Sequence, residues 1–489
     1  MCYKILLFTS PSIMKNNYFS KNNFDLSNGY SNFEMVIKEG LCVGCGICSG
    51  IFPESFKMEI SKYGEYHPIF LNNYNLNQIF SKAEKFCPFT GVGENEDRLG
   101  QEEFGNLAGI NHLSELGYFL NTYVGWVTND SNRISSSAGG LTTWLLKYLL
   151  KNKIIDGVIC VNPTNSNDIF FEYSIIRKEQ DLDKSKKSKY YTIELSKVIK
   201  ELKASDGKYA IVALPCFIKG LRLAIQHGFL PRERFYCMIG LFCGHLKTTQ
   251  FSHYLIRQCG LKKTSVITVD FRKKLLNEKA SDYAFEVTAK NEFNNVEKHH
   301  IKMKDVLLGN WGLNAFMLKA CEYCDDVVAE LADVSLGDAW LPEYVTDSRG
   351  TNIIICRRND LHDIFLQAAD TGEIALEDID PKNVILSQDG GFRQRRQALS
   401  YRLFISRKYG LWRPKKRISP SSKSIKIFSK IIQKIRIKIA QSSKEKFHEY
   451  LIKNDLKSFS NQMSFWVYIF NFLYKTKRLF KLITSSFHL

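Results

Sequence analysis

The sequence predicts two folded parts, a small cysteine-rich α+β module and a larger mixed α/β domain, followed by a basic C-terminal tail. Three observations lead to this prediction. Cysteines between positions 42 and 87 have spacings typical of metal ligands. From residue 118 to residue 405, apolar strand-like runs alternate with helical patterns, as in α/β folds. From residue 413 to residue 489, apolar residues are interspersed with Lys and Arg, which predicts a basic amphipathic tail.

The composition favours a globular protein of a reducing compartment. Of the 489 residues, 44 % are hydrophobic, enough for a core. Thirteen cysteines, and an apolar start too short for a secretion signal, favour thiolate metal sites and a cytoplasmic location. No window holds the ~18 apolar residues of a membrane-spanning helix. The net charge of +18 lies mostly in the tail, where 18 Lys and Arg face three Asp and Glu, so nucleic-acid binding is not expected.

The N-terminal part is predicted to be a ferredoxin-type module over residues 35–93, after a mobile leader at 1–34. Residues 42–53, CVGCGICSGIFP, follow the bacterial iron–sulfur run C-x₂-C-x₂-C-x₃-C-P but carry Phe52 at the fourth cysteine position. A second run keeps only its last cysteine, before Pro88. Because the fourth cysteine of each run ligates the other cluster, one complete 4Fe–4S ligand set remains. Its members are Cys42, Cys45, Cys48 and Cys87.

A Ser/Gly loop opens the main domain. The strand YVGWVTND is followed by the loop SNRISSSAGG and the amphipathic helix LTTWLLKYLLKNK. Small residues and free N–H groups at a helix start favour an anion, such as a flavin phosphate or pyrophosphate. The alternative is that one serine merely caps the helix. The lysine-rich segment DLDKSKKSKYYT further along is expected to be a solvated surface loop.

A second group of cysteines lies in the main domain. Cys321 and Cys324 have the C-x-x-C spacing of metal ligands. Cys216 and Cys243 each follow an apolar strand at a Pro or Gly turn, where α/β sheets place their sites. The residues alone leave open an iron–sulfur cluster, zinc, a dithiol redox pair or burial as small hydrophobes. Burial is the expectation for Cys160, Cys237, Cys259 and Cys356.

Four segments together resemble the family of coenzyme F420 hydrogenase/dehydrogenase beta subunits: SSSAGGLTTWLLKYLL, VALPCFIKGLR, IGLFCGH and CEYCDDVVAELADVSLGDAW. The resemblance spans roughly residues 123–403. It implies an iron–sulfur flavoprotein that binds FAD and passes electrons between 4Fe–4S clusters, the flavin and a substrate such as a deazaflavin. The implied ligands of a second 4Fe–4S cluster are Cys216, Cys243, Cys321 and Cys324. The implied flavin-side loop consists of Ser136, Ser137, Gly139 and Gly140.

The N-terminal module departs from the family pattern, because it keeps one cluster where many members have two. Members also occur in organisms without F420, beside polysaccharide-synthesis genes, so the resemblance does not require F420. The predicted function is a flavin- and iron–sulfur-dependent oxidoreductase with an unidentified substrate, in a polysaccharide pathway or elsewhere. The alternative is a non-catalytic electron-transfer or scaffold subunit, and a zinc-bound interaction protein is a third reading.

Further polar residues are candidates near these sites. His245, two residues after Cys243, is a candidate for proton delivery, or else a satisfied hydrogen-bond partner. Lys219 and Arg222 could balance cluster or phosphate charge, or be solvated. The resemblance also matches Asp325 and the pair Gly337 and Asp338, without implying their roles.

The basic tail predicts contact with a membrane surface. Its charge would be drawn to anionic lipid and its aromatic residues to the acyl boundary. The alternative is a helical extension that packs on the same chain or on a partner. The expected partners are an electron donor or acceptor protein, or a deazaflavin-like small molecule, and the sequence is compatible with an oligomer.

Overall fold

The computed structural model describes residues 30–71, 76–164, 166 and 169–486, so most of the predicted leader lies outside the described residues. Its last residues are folded. Ser31 Oγ accepts from the N–H of Glu34 at 3.2 Å, and the Glu34 carboxylate accepts from the N–H of Ser31 at 2.8 Å. This capping box starts the helix Asn32–Lys38, in which Phe33 is buried. Residues 31–34, which are predicted from the sequence to be part of the leader, therefore belong to this helix and its N-cap.

The N-terminal module combines three helices with one hairpin. The helices are Asn32–Lys38 (α1), Ile47–Ile51 (α2) and Leu76–Phe86 (α3), and the antiparallel strands are Phe56–Ile60 (β1) and Tyr66–Phe70 (β2). Aromatic rings fill the space between them, with Phe33 5.4 Å and Phe80 6.2 Å from Phe56 between ring centroids. This core is continuous with that of the main domain, so the module is packed onto it. Helix Glu96–Phe104 (α4) and strands Asn111–Leu113 (β3) and Gly117–Phe119 (β4) make the connection.

The main domain is built on a mixed sheet of eight strands. They are Asn121–Val127 (β5), Gly157–Pro163 (β6), Phe171–Ile176 (β7), Tyr209–Ala213 (β8), Phe235–Leu241 (β9), Val334–Asp338 (β13), Asn352–Cys356 (β14) and Ile374–Asp378 (β15). Their order is β15–β5–β14–β13–β9–β8–β6–β7. Strands β6, β8, β9 and β13 are parallel. The predicted mixed α/β fold is confirmed.

One edge of this sheet brings together the loops that contain the predicted site residues. Strand β14 is antiparallel to both β13 and β5, so β5 runs in the direction of the parallel strands. The chain therefore leaves β5, β8, β9 and β13 at the same edge. These exits carry the Ser/Gly loop, Cys216, Cys243 and Asp338.

Helices lie between and after the strands of the main domain. They are Asp130–Ile134 (α5), Leu141–Lys151 (α6), Ser196–Lys203 (α7), Pro215–Gln226 (α8), Thr249–Gln258 (α9), Pro342–Val345 (α10), Asn359–Asp370 (α11), Pro381–Ser387 (α12) and Asp389–Phe392 (α13). Leu141, Leu145 and Leu149 form the buried face of α6, at the spacing that the sequence predicts. A separate antiparallel sheet consists of Val266–Lys273 (β10), Ala284–Lys290 (β11) and Val296–Lys302 (β12).

The C-terminal part is folded onto the body of the protein. A π-helix, Arg393–Gln397, leads into Ala398–Lys408 (α14), and two long helices follow, Ile427–Lys453 (α15) and Leu456–Ser486 (α16). Phe447 of α15 packs against Phe316, with ring centroids 5.6 Å apart. Packing on the same chain is thus observed for α15. Among the described residues, no helix is both long and apolar enough to cross a lipid bilayer.

Candidate cofactor and metal site

The first cysteine set lies where the loop before α2 meets the residue after α3. Cys42 and Cys45 are in the loop, Cys48 is in the first turn of α2, and Cys87 directly follows α3. All four line one small cavity whose other walls are mostly apolar. The structure thus brings together the four cysteines that the motif spacing predicts.

The thiols of this set disfavour one another's ionised forms. Burial raises the pKa of Cys42 to about 12 and that of Cys87 to about 11, and the charge of Cys87 further raises the pKa of Cys42, Cys45 and Cys48. The N–H of Gly44 donates to Cys42 Sγ at 3.4 Å and opposes this rise only in part. Four thiolates here require a compensating cation. The donor set therefore fits an iron–sulfur cluster, whose cysteines must be deprotonated.

Glycine lets this loop lie against the main domain. Gly46 has a φ of +76°, a left-handed conformation that favours glycine. A Cβ added there would lie 2.9 Å from the backbone nitrogen of Leu195. The N–H of Leu195 donates to the carbonyl oxygen of Cys45 at 2.9 Å. A larger residue at position 46 would push the loop away from α7.

The second cysteine set lies at the edge of the sheet where β8 and β9 end. Cys216 is in the first turn of α8, and Cys243 follows β9. Cys321 lies within the helical turn Lys319–Tyr323, and Cys324 directly follows that turn. The N–H of Leu246, three residues after Cys243, donates to Cys321 Sγ at 3.3 Å, so these segments are neighbours. Burial raises the pKa of Cys216, and the charges of the other three cysteines raise it further. In the part of the chain that the structure describes, no group of three or more His, Cys, Asp or Glu is placed to hold a single metal ion. A cubane cluster asks for a wider arrangement, because its cysteines bind different irons.

The two cysteine sets adjoin each other. The charge of Cys45 raises the pKa of Cys216, after burial and the charges of its own set. One turn after Cys216, a Cβ added to Gly220 would lie 2.6 Å from Ile47 Cδ1 and 3.5 Å from Pro88 Cδ. The absence of a side chain at Gly220 therefore lets the first set approach α8 closely.

A cavity of about 260 Å³ opens beside the second set. Its walls come from the Ser/Gly loop, the lysine-rich segment 185–191, the segment 243–247 and the ends of β13 and β14. The lining mixes apolar side chains with hydroxyl and amino groups, which suits a small-molecule ligand. Because Cys243 lines this cavity too, a ligand bound there would lie next to the second cysteine set.

The predicted serines face this cavity. Ser136 Oγ donates to the carbonyl oxygen of Asn132 at 2.8 Å, and Ser137 Oγ accepts from the N–H of Ser188 at 2.8 Å. The N-cap residue of α6 is Gly140, which has no side chain to make a capping bond. The alternative that a serine caps this helix is therefore wrong, and both hydroxyl groups are held in the cavity wall.

The two glycines of the loop differ in position. Gly140 lines the cavity with a φ of +90°. Gly139 lies beneath the loop, where an added Cβ would come within 2.5 Å of the carbonyl oxygen of Gly125. The N–H of Leu141 donates to Asn352 Oδ1 at 3.2 Å, which ties the start of α6 to β14. Gly139 thus allows close packing under the site rather than contact with a ligand.

The lysine-rich segment is not the solvated loop that the sequence predicts. Lys189 Nζ donates to the carbonyl oxygens of Ser185 at 3.1 Å and Lys187 at 2.9 Å, and burial lowers the pKa of Lys189 to about 8. Lys187 forms an ion pair with Asp270. A lysine run has the composition of a solvated loop, so sequence reasoning missed this wall of the cavity. The available signal was the apolar Tyr191, which follows the run and is buried.

His245 and Lys247 form the wall nearest the second cysteine set. The His245 ring lies 4.5 Å from that of Trp311, and its buried Nε2 has no hydrogen-bond partner among the described residues. Lys247 Nζ donates to the carbonyl oxygen of Ala315 at 2.6 Å and lies 4.7 Å from the Trp311 ring centroid. Burial lowers the pKa of Lys247 to about 7. His245 therefore has a free polar atom for a ligand, and Lys247 adds an amino group.

The other polar candidates pair with carboxylates. Lys219 donates to Glu96 at 3.1 Å, and Arg222 donates to Asp333 at 3.0 Å, so neither is solvated. Asp338 lines the cavity.

Among the described residues, the other main-domain cysteines form no further group that could hold a metal ion. Cys160, Cys237 and Cys356 are buried, as expected, and Cys259 is partly buried. Cys160 also lines the cavity beside the Ser/Gly loop.

Two family models match this chain, and both describe the beta subunit of coenzyme F420 hydrogenase/dehydrogenase. The model of its N-terminal part matches residues 122–200, and the model of its C-terminal part matches residues 206–382. Together they cover just over half of the chain, all of it in the main domain. Neither match reaches the first cysteine set or the C-terminal helices.

Curated relatives match the same region. An uncharacterized protein of Methanocaldococcus jannaschii is 29 % identical over 248 residues, 50 % of this chain and 83 % of the relative. The coenzyme F420-dependent sulfite reductase of that organism is 32 % identical over 315 residues, 63 % of this chain but 44 % of the relative. The F subunit of the F(420)H(2) dehydrogenase from Methanosarcina mazei is 22 % identical over 316 residues, 63 % of this chain and 78 % of the relative.

Among solved structures, a chain of the F420-reducing [NiFe] hydrogenase complex from Methanosarcina barkeri is similar, with a TM-score of 0.45 and 16 % identity. The similarity covers 60 % of this chain and 96 % of that chain.

Proposed function

The chain belongs to the family of coenzyme F420 hydrogenase/dehydrogenase beta subunits, and we propose that it is an iron–sulfur flavoprotein oxidoreductase with two 4Fe–4S clusters and FAD. Its named relatives are F420-dependent oxidoreductases or their subunits, which supports an electron-transfer function. The observation that carries the proposal is the continuity of the three sites. The cavity and the second cysteine set share Cys243, and helix α8, whose first turn holds Cys216, lies against Ile47 and Pro88 beside the first set.

Each site has residues suited to its cofactor. Ser136, Ser137 and Gly140 would hold FAD through hydroxyl and backbone groups, and the nearby Lys189 would balance its phosphate charge. A flavin bound there would exchange electron pairs with a substrate and single electrons with the clusters. His245 would hydrogen-bond the ligand through its free Nε2. The two cysteine sets would each hold one 4Fe–4S cluster.

The substrate that we propose is a deazaflavin such as coenzyme F420, and the further partner is a protein that exchanges electrons at the first cluster. The names of the relatives support the deazaflavin. Lys187, Lys189 and Lys247 place amino groups along the cavity, and an anionic ligand would favour their protonated forms. None of the named relatives points to polysaccharide synthesis, so the proposal does not include it.

Cofactor analysis of the anaerobically purified chain tests the proposal. We expect about eight irons, about eight acid-labile sulfides and one FAD per chain, since each cubane cluster holds four irons. The same iron without flavin would favour an electron-transfer or scaffold subunit. Zinc without acid-labile sulfide would contradict both functions.

A pair of variants tests the flavin site. Ser137→Val removes a hydroxyl group from the cavity wall and should lower the FAD content. Ser135→Val is the matched control, because Ser135 lies outside the cavity lining. Reduced F420 mixed with the wild-type protein should bleach the flavin absorbance at 450 nm, roughly the usual flavin maximum. Equal FAD loss in both variants would contradict the assignment of the loop.

We also propose that α16 contacts anionic membrane surfaces. Phe465, Tyr468 and Phe472 lie on one face of this helix and are 50 %, 71 % and 60 % exposed. The helix contains Lys and Arg but no Asp or Glu. Exposed aromatic residues and positive charge are the two features that draw a helix to an anionic interface.

Vesicle sedimentation tests this contact. The wild-type protein should bind vesicles that contain phosphatidylserine and not neutral phosphatidylcholine vesicles. The variant Phe465→Ser/Tyr468→Ser/Phe472→Ser should lose this binding and keep its iron. Binding that is unchanged in the variant, or equal on neutral vesicles, would contradict the membrane contact.

A further inference from the structure

A lysine from the segment after α14 lies between the two cysteine sets. Lys416 Nζ donates to Asp325 Oδ1 at 3.0 Å and lies 5.1 Å from the ring centroid of Phe89. Asp325 directly follows Cys324 of the second set, and Phe89 is two residues after Cys87 of the first. The Lys416 side chain is 5 % exposed, so its charge acts in a medium of low polarity.

The charge of Lys416 reaches both sets. Asp325, which Lys416 contacts, is the next residue after Cys324, and Phe89, over which Lys416 lies, is two residues after Cys87. Reduction of a cluster adds one negative charge. A buried cation close to a cluster therefore favours the reduced cluster and raises its reduction potential.

A second buried cation serves the second set alone. Arg395, in the π-helix, donates from Nη1 to Cys324 Sγ at 2.9 Å and to the carbonyl oxygen of Asp326 at 2.6 Å. Its Nη2 donates to the carbonyl oxygen of Gly244, next to Cys243, at 2.5 Å. These bonds fix the guanidinium group against the ligand sulfur. Hydrogen bonds to cluster sulfurs are among the factors that set a cluster's potential.

We propose that Lys416 and Arg395 set the reduction potentials of the two clusters, Lys416 for both and Arg395 for the second cluster only. The inference rests on the proposed function, because it requires both clusters. Both residues lie beyond residue 382, where the match to the family models ends. The C-terminal segment of this chain therefore tunes centres whose ligands come from the module and the matched domain.

EPR-monitored redox titration of the full chain, loaded with both clusters, tests this inference. The variant Cys45→Ala assigns the first cluster's signal by its loss. Lys416→Gln should lower both midpoint potentials by about 59 mV, which corresponds to a tenfold change in the one-electron equilibrium constant. Lys415→Gln is the matched control, since it removes the same charge from an exposed neighbour and should shift neither potential.

Two variants of Arg395 provide an independent test. Arg395→Gln should lower the potential of the second cluster only, and Arg395→Lys, which keeps the charge, should recover part of the shift. A shift in Lys416→Gln no larger than that in Lys415→Gln would overturn the inference. So would an equal shift of both clusters in Arg395→Gln.

Removal of Lys416 leaves Asp325 with the more distant Arg417, at 3.5 Å, and the variant could fail to fold. Asp325→Asn then provides the test, because loss of the negative charge should raise both potentials, and unmoved potentials would contradict the inference. A wild-type protein without the two cluster signals would contradict the proposed function. Full iron content with unmoved potentials would contradict this inference alone.

Discussion

At the scale of single residues, the cysteine thiols carry an electrostatic cost that a bound cation removes. In each set, burial and the charges of neighbouring cysteines raise the pKa of the thiols. Backbone N–H groups, such as that of Leu246, which donates to Cys321 Sγ at 3.3 Å, and nearby cations such as Arg395 oppose this rise in part. A folded chain without iron would keep these thiols protonated. Cluster binding must therefore release protons, and its affinity should fall in acid.

Cys87 is the residue on which the first cluster assignment depends most, because it lies far from the motif in sequence. Cys87→Ser should lower the iron content from about eight to about four per chain and remove the same EPR signal as Cys45→Ser. Cys259→Ser is the control, since Cys259 belongs to neither set and is only partly buried. Unchanged iron in Cys87→Ser would refute the ligand assignment.

His253 should make the stability of the protein depend on pH. Burial, together with the charges of Lys263 and Arg257, lowers its pKa to about 4, and its Nε2 has no hydrogen-bond partner among the described residues. An unfolded chain binds this proton near pH 6.5, so between pH 6.5 and 4 unfolding takes up a proton. The free energy of unfolding should therefore fall as the pH is lowered through this window, by up to about 1 kcal/mol per pH unit.

Thermal denaturation of His253→Gln at pH 7 and pH 5 checks this. The midpoint of the wild-type protein should fall more steeply with acid than that of the variant. His300→Gln changes an exposed histidine and should behave like the wild type. Parallel pH profiles for the wild type and His253→Gln would contradict the prediction.

At the scale of elements, α15 and the segment before it contact both the N-terminal module and the main domain. Lys444 of α15 donates to Glu65 of the N-terminal module at 2.7 Å, and the Phe316 N–H of the main domain donates to Ser443 Oγ at 2.7 Å. Arg417 pairs with Glu330, whose side chain is fully enclosed. This part of the predicted tail is thus a structural element that joins the module to the domain.

Two truncations separate the parts of the C-terminal region. A chain ending at Arg413 loses Lys416 and Arg417 and leaves Asp325 and Glu330 buried without them, a cost of about 3–5 kcal/mol for each broken pair. We expect that chain to be insoluble or to lose iron. A chain ending at Asn454 keeps these pairs and should keep its iron while losing vesicle binding. Full iron content in the shorter chain would show that the segment is dispensable.

Features that depend on residues close together in the sequence can be predicted, whereas contacts between distant residues cannot. Cys42, Cys45 and Cys48 are found by local spacing, and the leucines of α6 by local periodicity. Lys416 and Asp325 are 91 positions apart in the sequence, and no sequence pattern near either residue predicts their contact. The apolar face of α15 is compatible both with a membrane and with the protein's own surface, because hydrophobic periodicity does not show which surface the helix contacts. Only the folded chain decides between the two.

At the scale of the whole molecule, the parallel strands bring together parts that are distant in sequence. Their carboxyl ends place the Ser/Gly loop, Cys216 and Cys243 along one edge. Short apolar strands made the α/β class predictable. Strand order and the inward fold of the lysine-rich segment were not predictable, since both depend on contacts across the sheet. The resulting order of sites is cavity, second set, first set.

This order predicts which step depends on the first cluster. Cys45→Ser removes that cluster but leaves the cavity and the second set unchanged, so the rate of flavin reduction by reduced F420 in stopped-flow should stay within about twofold of the wild type. Turnover with a one-electron acceptor protein, such as a ferredoxin, should fall at least about tenfold, because the proposed electron-exchange site for that protein, the first cluster, is lost. Cys259→Ser should change neither rate. If flavin reduction slows while turnover with the acceptor protein persists, electrons do not pass through the N-terminal module, and the proposed route is wrong.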